Sequence, residues 1–218
     1  MFLAGVDEAG RGPALGPMAM ALVVATKEQE EKLADIGVRD SKELGARKRV
    51  SLAAKIKNLV EEYKVSLVFP GELNSLMLRK SLNEIEAMRI ASMVNSLRVK
   101  PEILLVDSPD IVESNFSKRI ARYCSVGITI KSEHFADRNY PIVSAASILA
   151  KVARDAEIER LKGEFGEIGS GYPHDPVTIA FIRKWVEENG SLPPIARTEW
   201  ETNKRELDRK FQTRLQDS

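Results

Sequence analysis

The stretch Ile103-Leu-Leu-Val-Asp107 is a continuous apolar run that closes on an acid and is followed at once by Ser108-Pro109. An apolar run without alternation is the pattern of a strand covered on both faces, which restricts the chain to a sheet with helices packed on either side. Residues 2–7, 18–26, 64–69 and 125–130 read as further strands, the last two by alternation of Val65, Leu67, Phe69 and of Val126, Ile128, Ile130. Helical patterns are expected over 46–62, 82–97, 111–123 and 142–161, over 176–188, where Pro176 opens the first turn, and in the charged tail from 198 to about 215. Strands dominate early, helix and strand then alternate, and the last quarter is helical. The expected architecture is α/β, a sheet flanked by helices with a helical C-terminal extension. The glycines of 163–172 make that segment the expected hinge, dividing a core at 1–165 from an extension at 166–218.

Composition supports a folded chain: 218 residues, 43% hydrophobic and 30% charged, suffice for a sizeable core. The scarcity of Asn and Gln beside abundant Lys, Arg and Glu hints at a heat-loving source. The single cysteine, Cys124, rules out an internal disulfide and a cysteine-rich zinc site. The opening residues lack a basic segment and meet Asp7 early, so no secretory signal is expected. No apolar run approaches the ~20 residues that span a bilayer. A cytoplasmic protein without a membrane partner is the expectation. Net charge is only +1, yet between Lys42 and Lys57 six basic residues stand against the single acid Glu43. Such a patch attracts a phosphate polymer even when the whole molecule is nearly neutral; a solvated helix face would look the same.

The acids carry the chemistry. Asp7 and Glu8 are neighbours, and neighbours on a strand point to opposite faces, so both can serve one site only where the strand ends. The following Ala-Gly-Arg-Gly-Pro breaks the ladder there. Asp107 closes a buried strand, the place where ligands bind in α/β sheets, although a capping aspartate for the next helix would occupy the same position. Asp137 precedes the long helix, where a turn role is the plain alternative. On that helix Ser144, Ser147, Lys151 and Arg154 fall at steps of three and four and form a polar stripe suited to phosphate oxygens. Four carboxylates without His or Cys partners suit a hard cation, Mg²⁺ or Mn²⁺. A pair of such ions activates water on one side of a phosphodiester and stabilises the leaving oxygen on the other.

At these residues the chain resembles the type 2 ribonuclease H family, ribonuclease HII, of archaeal kind. Asp7-Glu8-Ala9-Gly10-Arg11-Gly12-Pro13 is similar to its opening motif, and Asp40-Ser41-Lys42-Glu43-Leu44 to its second. Val106-Asp107-Ser108 is similar to its third, Ala136-Asp137 through Ser144 to Asp155 to its fourth, and Gly171-Tyr172-Pro173 to its fifth. The resemblance implies a ribonuclease H-like mixed five-stranded sheet whose first three strands are antiparallel. It implies an endonuclease acting on RNA–DNA hybrids and on duplex DNA with embedded ribonucleotides, cutting 5′ of the ribonucleotide to leave a 3′-hydroxyl and a 5′-phosphate. It assigns catalysis and two metal ions to Asp7, Glu8, Asp107 and Asp137, and recognition of the ribose 2′-hydroxyl to Gly10, Arg11, Gly12 and Tyr172. Physical logic agrees: glycine lets backbone approach a sugar, Arg11 can fork onto phosphate, and the 2′-hydroxyl separates RNA from DNA. Lys42, Ser144, Ser147, Lys151 and Arg154 are the expected substrate-backbone contacts.

The chain starts almost at its first strand, so the extra N-terminal domain of type 3 enzymes is not expected. Some archaeal relatives end in a segment that docks on the sliding clamp with paired aromatics. The tail from Lys210 to Leu215 has one, Phe211, which makes a clamp partner doubtful, and a monomer is expected. Three rivals are weaker. A dinucleotide fold fails because its glycine loop should open a helix, whereas here prolines flank the loop and a strand follows. Another nuclease on the same fold would cut all-DNA duplex. A non-catalytic binding module leaves the acids beside phosphate unexplained. His134, near Asp137, could aid product release or modulate a metal, but a surface or packing role is simpler for it and for His174, and packing for Trp185 and Trp200.

Overall fold

The computed structural model describes residues 1–38 and 45–216, with side chains as far as Lys210. The motif at 40–44, and with it the expected contact Lys42, lies outside the described residues. Five strands form one mixed sheet in the order β3-β2-β1-β4-β5. Strand β1 (Phe2–Ala9) runs antiparallel to β2 (Met18–Thr26) along its whole length, from Phe2↔Thr26 to Ala9↔Ala19. It runs parallel to β4 (Ile103–Asp107), but only from Leu3↔Ile103 to Val6↔Val106. Strand β5 (Thr129–Glu133) is parallel to β4 up to Asp107↔Glu133, and β3 (Glu62–Val68) flanks β2.

The described residues gather into two compact units, one of 1–9, 19–67 and 81–153, the other of 10–18, 68–80 and 154–218. These limits differ from a division at 165. Helix α7 (Pro141–Phe165) runs through Gly163, so that glycine does not open a hinge, and the second unit also takes in two earlier segments.

In the first unit the apolar β2, buried almost throughout, packs with Leu3 and Ala9 of β1. Onto the same face come Leu33 of helix α1 (Lys27–Asp35), Leu52, Ala53 and Ile56 of α2 (Ala46–Leu59), and the first half of α7. The approach of α7 to β1 is close: a Cβ at Gly5 would stand 2.6 Å from the carbonyl carbon of Ile142. Helix α1 escapes sequence reading because Leu33 is nearly its whole apolar side, but a capping box starts it. The Thr26 hydroxyl accepts from Gln29 N–H at 3.2 Å, and the Gln29 amide accepts from Thr26 N–H at 2.8 Å. The remaining elements of this unit are α4 (Leu82–Asn95), α5 (Glu113–Ala121) and the short α6 (Ala136–Asn139).

Strand β5 lies later than the alternation at 125–130 suggests. Its inward residue Ser132 is polar, and α5 satisfies it: the Ser132 hydroxyl donates to Glu113 O at 2.6 Å and accepts from Ser117 N–H at 3.1 Å. In the second unit, Pro70-Gly71 opens α3 (Pro70–Met77) rather than merely ending β3, Pro being at home in a first turn. Helix α8 (Pro176–Asn189) is capped by Asp175, and α9 (Glu201–Gln216) follows. Ala14, Leu15, Ile158, Leu161, Ile168, Ile182 and Val186 make this unit's core, where Trp185 packs against Phe165 and Phe181. No helix among the described residues is long and apolar enough to cross a membrane.

Candidate active site

The parallel strands β1, β4 and β5 are neighbours, so their carboxyl ends meet at one end of the sheet. Asp7 and Asp107 each stand one residue beyond the last β1–β4 pair, Val6↔Val106, and so lie side by side. Both fall on the α7 face, since Leu3 and Leu105 of the same parity are in the core beneath that helix. Asp137 lies in the first turn of α6, which follows β5. The link between the two strand ends is direct: Ala136 N–H donates to Asp107 Oδ1 at 2.7 Å. Phe135, with φ 58°, makes the left-handed turn that points this amide back.

Glu8 belongs to the opposite face by alternation. Strand β1 does not end at the acids, as the sequence suggested, but continues to Ala9 against β2. What ends there is its ladder with β4, and this is what frees the chain around Asp7 and Glu8.

Asp7 is buried, 6% exposed, and its ionisation is suppressed. Burial raises its pKa well above the ordinary 3.8, and the charges of Glu8 and Asp107 raise it further, while hydrogen bonds from Ser147 and from Glu8 N–H, the latter at 2.8 Å, pull it down. Lys151 Nζ donates to Ser147 Oγ at 2.7 Å, so a chain of hydrogen bonds runs from α7 to Asp7. Ser147 and Ser144 are both buried, and the Ser144 hydroxyl donates to the Asp137 carbonyl. The serine stripe therefore turns inward to two acids instead of outward. Among the described residues no three His, Cys, Asp or Glu side chains are gathered closely enough to hold a metal ion. The backbone thus places Asp7, Asp107 and Asp137 together without drawing their side chains onto a common point.

His134 engages the loop after Asp107. Its Nδ1 lies 3.2 Å from Ser108 O, its Nε2 3.3 Å from Ile111 O, and its backbone N–H donates to Glu113 at 2.6 Å. The residue itself is exposed, and its ring lies against the backbone of that loop.

The second unit holds the Gly10-Arg11-Gly12 loop, Arg154 and Tyr172. The loop leads into β2, not into a helix, unlike a dinucleotide site. Gly10 needs to be glycine: its φ is 87°, and a Cβ there would stand 3.2 Å from Pro17 O. Gly12 does not: a Cβ there would meet only the Tyr172 ring, at an ordinary 3.8 Å. The Arg154 guanidinium lies over Tyr172, 4.8 Å from the ring centroid, and its Nη2 donates to Ser170 O at 2.5 Å. Asp175 holds the other side of the turn, accepting from Ser170 N–H at 2.6 Å and Ser170 Oγ at 2.7 Å. His174 is exposed, 5.4 Å from Tyr172 between ring centroids.

Sequence reasoning passes over Arg197. It is fully buried, its Nε donates to Gly16 O at 2.9 Å and its Nη1 to Arg11 O at 3.2 Å. The spacing to Trp200, whose ring it covers at 4.9 Å, is the one signal that could have drawn attention to it.

A sheet of this order, with acids at the ends of its neighbouring parallel strands, defines a ribonuclease H-like fold. The ribonuclease H2 of Pyrococcus horikoshii OT3 superposes with a TM-score of 0.90 at 44% identity, covering 96% of this chain and 98% of that one. A model of the Ribonuclease HII family matches residues 4–203, and the chain belongs to that family. Ribonuclease HII of Pyrococcus furiosus is 44% identical over 202 residues, 93% of this chain and 89% of its own. The RNase HII of Archaeoglobus fulgidus, solved in complex with PCNA, matches with a TM-score of 0.85 at 40% identity, covering 92% of this chain and 96% of that one. The chain is thus a ribonuclease H, an endonuclease acting on the RNA of RNA–DNA hybrids.

Proposed function

We propose that the enzyme also cuts duplex DNA on the 5′ side of a single embedded ribonucleotide, leaving a 3′-hydroxyl and a 5′-phosphate, with Mg²⁺ or Mn²⁺ held by Asp7, Glu8, Asp107 and Asp137. The observation that carries the reading is the meeting of Asp7, Asp107 and Asp137 at one end of three neighbouring parallel strands. The donor set is all oxygen, which suits a hard dication. Burial and two neighbouring carboxylates disfavour the charge on Asp7, and a cation at this point would relieve that cost. Gathering the acids onto ions requires side-chain rotation, most of all at Glu8, which belongs to the opposite face of β1 by alternation.

Divalent ions held by these acids would supply an activated water and stabilise the leaving oxygen. The protein's own groups do the rest. Ser147, braced by Lys151, orients Asp7, and Ala136 N–H orients Asp107. Ser144 fixes the backbone of Asp137. In the second unit Gly12 offers backbone that a sugar can approach, since the fold leaves the space of a side chain there open. Tyr172, held by Arg154 above and by the turn at Ser170, offers a ring and hydroxyl to a ribose. Arg11 serves a phosphate, and Lys151 and Arg154 add positive charge, Arg154 chiefly by holding Tyr172. The division of the chain into a catalytic part and a substrate-recognising part follows the two units.

The test is a DNA duplex with one ribonucleotide, with and without Mg²⁺. One metal-dependent cut immediately 5′ of the ribonucleotide is expected. Cutting of all-DNA duplex, or equal cutting without a divalent ion, overturns the reading. The complex solved for the A. fulgidus enzyme weighs against discounting a clamp partner for this chain. We propose that its tail docks on a sliding clamp. The side chains from Phe211 onward lie outside those described, so co-elution of clamp and enzyme, lost on removing 211–218, is the measurement that decides.

A further inference from the structure

Beyond the loop itself, the second unit contains the frame that shapes it. The stretch 14–16 is bound along its backbone to the segment before α9. Gly16 N–H donates to Ile195 O at 2.9 Å, Arg197 N–H donates to Ala14 O at 3.0 Å, and Leu15 bridges to Ala196. Ala14 and Leu15 N–H both donate to Gly171 O, at 2.8 and 3.2 Å, which ties the residue before Tyr172 to the same stretch. Asn203, fully buried, donates from Nδ2 to Ala14 O at 2.9 Å and to Arg197 O at 2.8 Å. Arg197 carries this frame forward: one arm of its guanidinium holds Gly16 O, another holds Arg11 O.

Two features of Arg197 exceed what scaffolding needs. Neutral amide donors could serve two carbonyls, yet here a full cation is buried, a placement that costs stability. Among the described residues no acid offsets its charge; burial foremost, then the Arg154 cation, pull its pKa down to about 9. Its Nη2 and the Nε of Arg154 are both buried without a hydrogen-bond partner among the described residues. The guanidinium is a planar fork, so holding carbonyls at positions 11 and 16 fixes their mutual orientation as a flexible ammonium cannot.

We propose that Arg197 is a positioning residue for ribonucleotide recognition: its fork sets the backbone of Arg11 and Gly12, and its unneutralised charge makes that backbone receptive to the phosphate beside the ribose. The proposal rests on the reading that Gly10, Arg11, Gly12 and Tyr172 recognise the 2′-hydroxyl, and the experiment separates the two.

Arg197→Gln and Arg197→Lys are compared with the parent, each on duplex DNA with one ribonucleotide and on a long RNA–DNA hybrid, with kcat and KM measured and thermal unfolding recorded. Arg197→Gln is expected to lose about tenfold or more in kcat/KM at the single ribonucleotide, the scale of a charge-assisted hydrogen bond, and much less on the hybrid. Arg197→Lys keeps the charge and should recover part of the loss. A buried lysine gives up its proton more easily than arginine, so the single-ribonucleotide activity of Arg197→Lys should decline towards alkaline pH where the parent's holds. If Arg197→Gln does not fold, the two substrates and the pH profile of Arg197→Lys decide. Equal losses on both substrates that follow the unfolding temperature, or no loss, overturn the proposal. Gly12→Ala and Tyr172→Ala are run beside them. If these fail to discriminate between substrates, the recognition reading falls; if they discriminate and the Arg197 variants do not, the inference about Arg197 alone falls.

Discussion

Asp7 and Asp107 occupy equivalent positions on neighbouring parallel strands, each one step past Val6↔Val106, so two carboxylates end side by side where the hydrogen-bonded ladder stops. Asp107 accepts a backbone N–H from across the strand end, that of Ala136, whereas the backbone N–H on Asp7 comes from its own neighbour, Glu8. At Asp7 burial and repulsion outweigh the hydrogen bonds from Ser147 and from Glu8 N–H, and its raised pKa records that cost.

Asp7→Asn is therefore expected to stabilise the protein at neutral pH in the absence of divalent ions. The folded pKa of Asp7 lies above the unfolded value, so the folded state binds more protons between the two, and stability falls as pH rises through that window. The gain from Asp7→Asn should be present at pH 7 and vanish below the ordinary carboxylate value. Unfolding temperature across pH measures this. Added Mg²⁺ or Mn²⁺ should raise the parent's unfolding temperature and have little effect on Asp7→Asn, while cutting by Asp7→Asn falls by orders of magnitude.

Ser147→Ala removes the side chain that lowers the Asp7 pKa and leaves Lys151 without its acceptor. The pKa of Asp7 should climb further, moving the acid limb of the pH–rate profile to higher pH. A loss of about tenfold in kcat at neutral pH, with KM for hybrid nearly unchanged, is the expected scale for removing one positioning hydrogen bond. An unmoved acid limb would show that Ser147 does not act on Asp7.

Gly12→Ala separates fold from recognition. The added methyl meets only the Tyr172 ring at 3.8 Å, so the unfolding temperature should hold to within a degree or two of the parent's. Cutting at an isolated ribonucleotide should nonetheless drop about tenfold or more if a sugar must come against this backbone. A large fall in unfolding temperature would contradict the space seen at this position.

Asp175 is both the cap of α8, through Val177 N–H at 3.0 Å, and the clasp of the turn before Tyr172, through Ser170. Those hydrogen bonds, the backbone one from Ser170 first, hold its pKa down to about 2. Its folded pKa lies below the unfolded value, so its contribution is complete above that value and is lost as pH falls towards 2. Asp175→Ala should cost about 1 kcal/mol or somewhat more at neutral pH, as for loss of a helix cap. Loss of preference for single ribonucleotides should accompany it, because Tyr172 follows the clasped turn. Denaturant titration at pH 7 and pH 3 distinguishes this from a general weakening.

The acids were legible because each stands at a break in a simple pattern: Asp107 after a run of apolar residues, Asp7-Glu8 before a Gly/Pro loop, Asp137 before a long helix. The direction of the serine stripe was not. Steps of three and four show that Ser144 and Ser147 share a side of α7, and a hydroxyl can serve a phosphate or a neighbouring carboxylate equally well. Which one depends on what the fold brings opposite. Strand β5 was displaced because its inward Ser132 is satisfied by α5, a contact no alternation reveals. Arg197 stayed hidden for the same reason: its partners, Arg11 and Gly16, lie 186 and 181 residues away along the chain.

Gly5 acts as a spacer of zero thickness. It lies on the Asp7 side of β1, two residues before the acid, and the backbone of Ile142 and Val143 rests where its side chain would be. Two strand residues advance about 6.6 Å, and the four or five helical residues from there to Ser147 advance about 6 to 7.5 Å. That near match brings the serine level with the acid it serves. A single methyl group at Gly5 would act as a shim, lifting α7 from the sheet and disarming the carboxylate without altering any group that takes part in the chemistry.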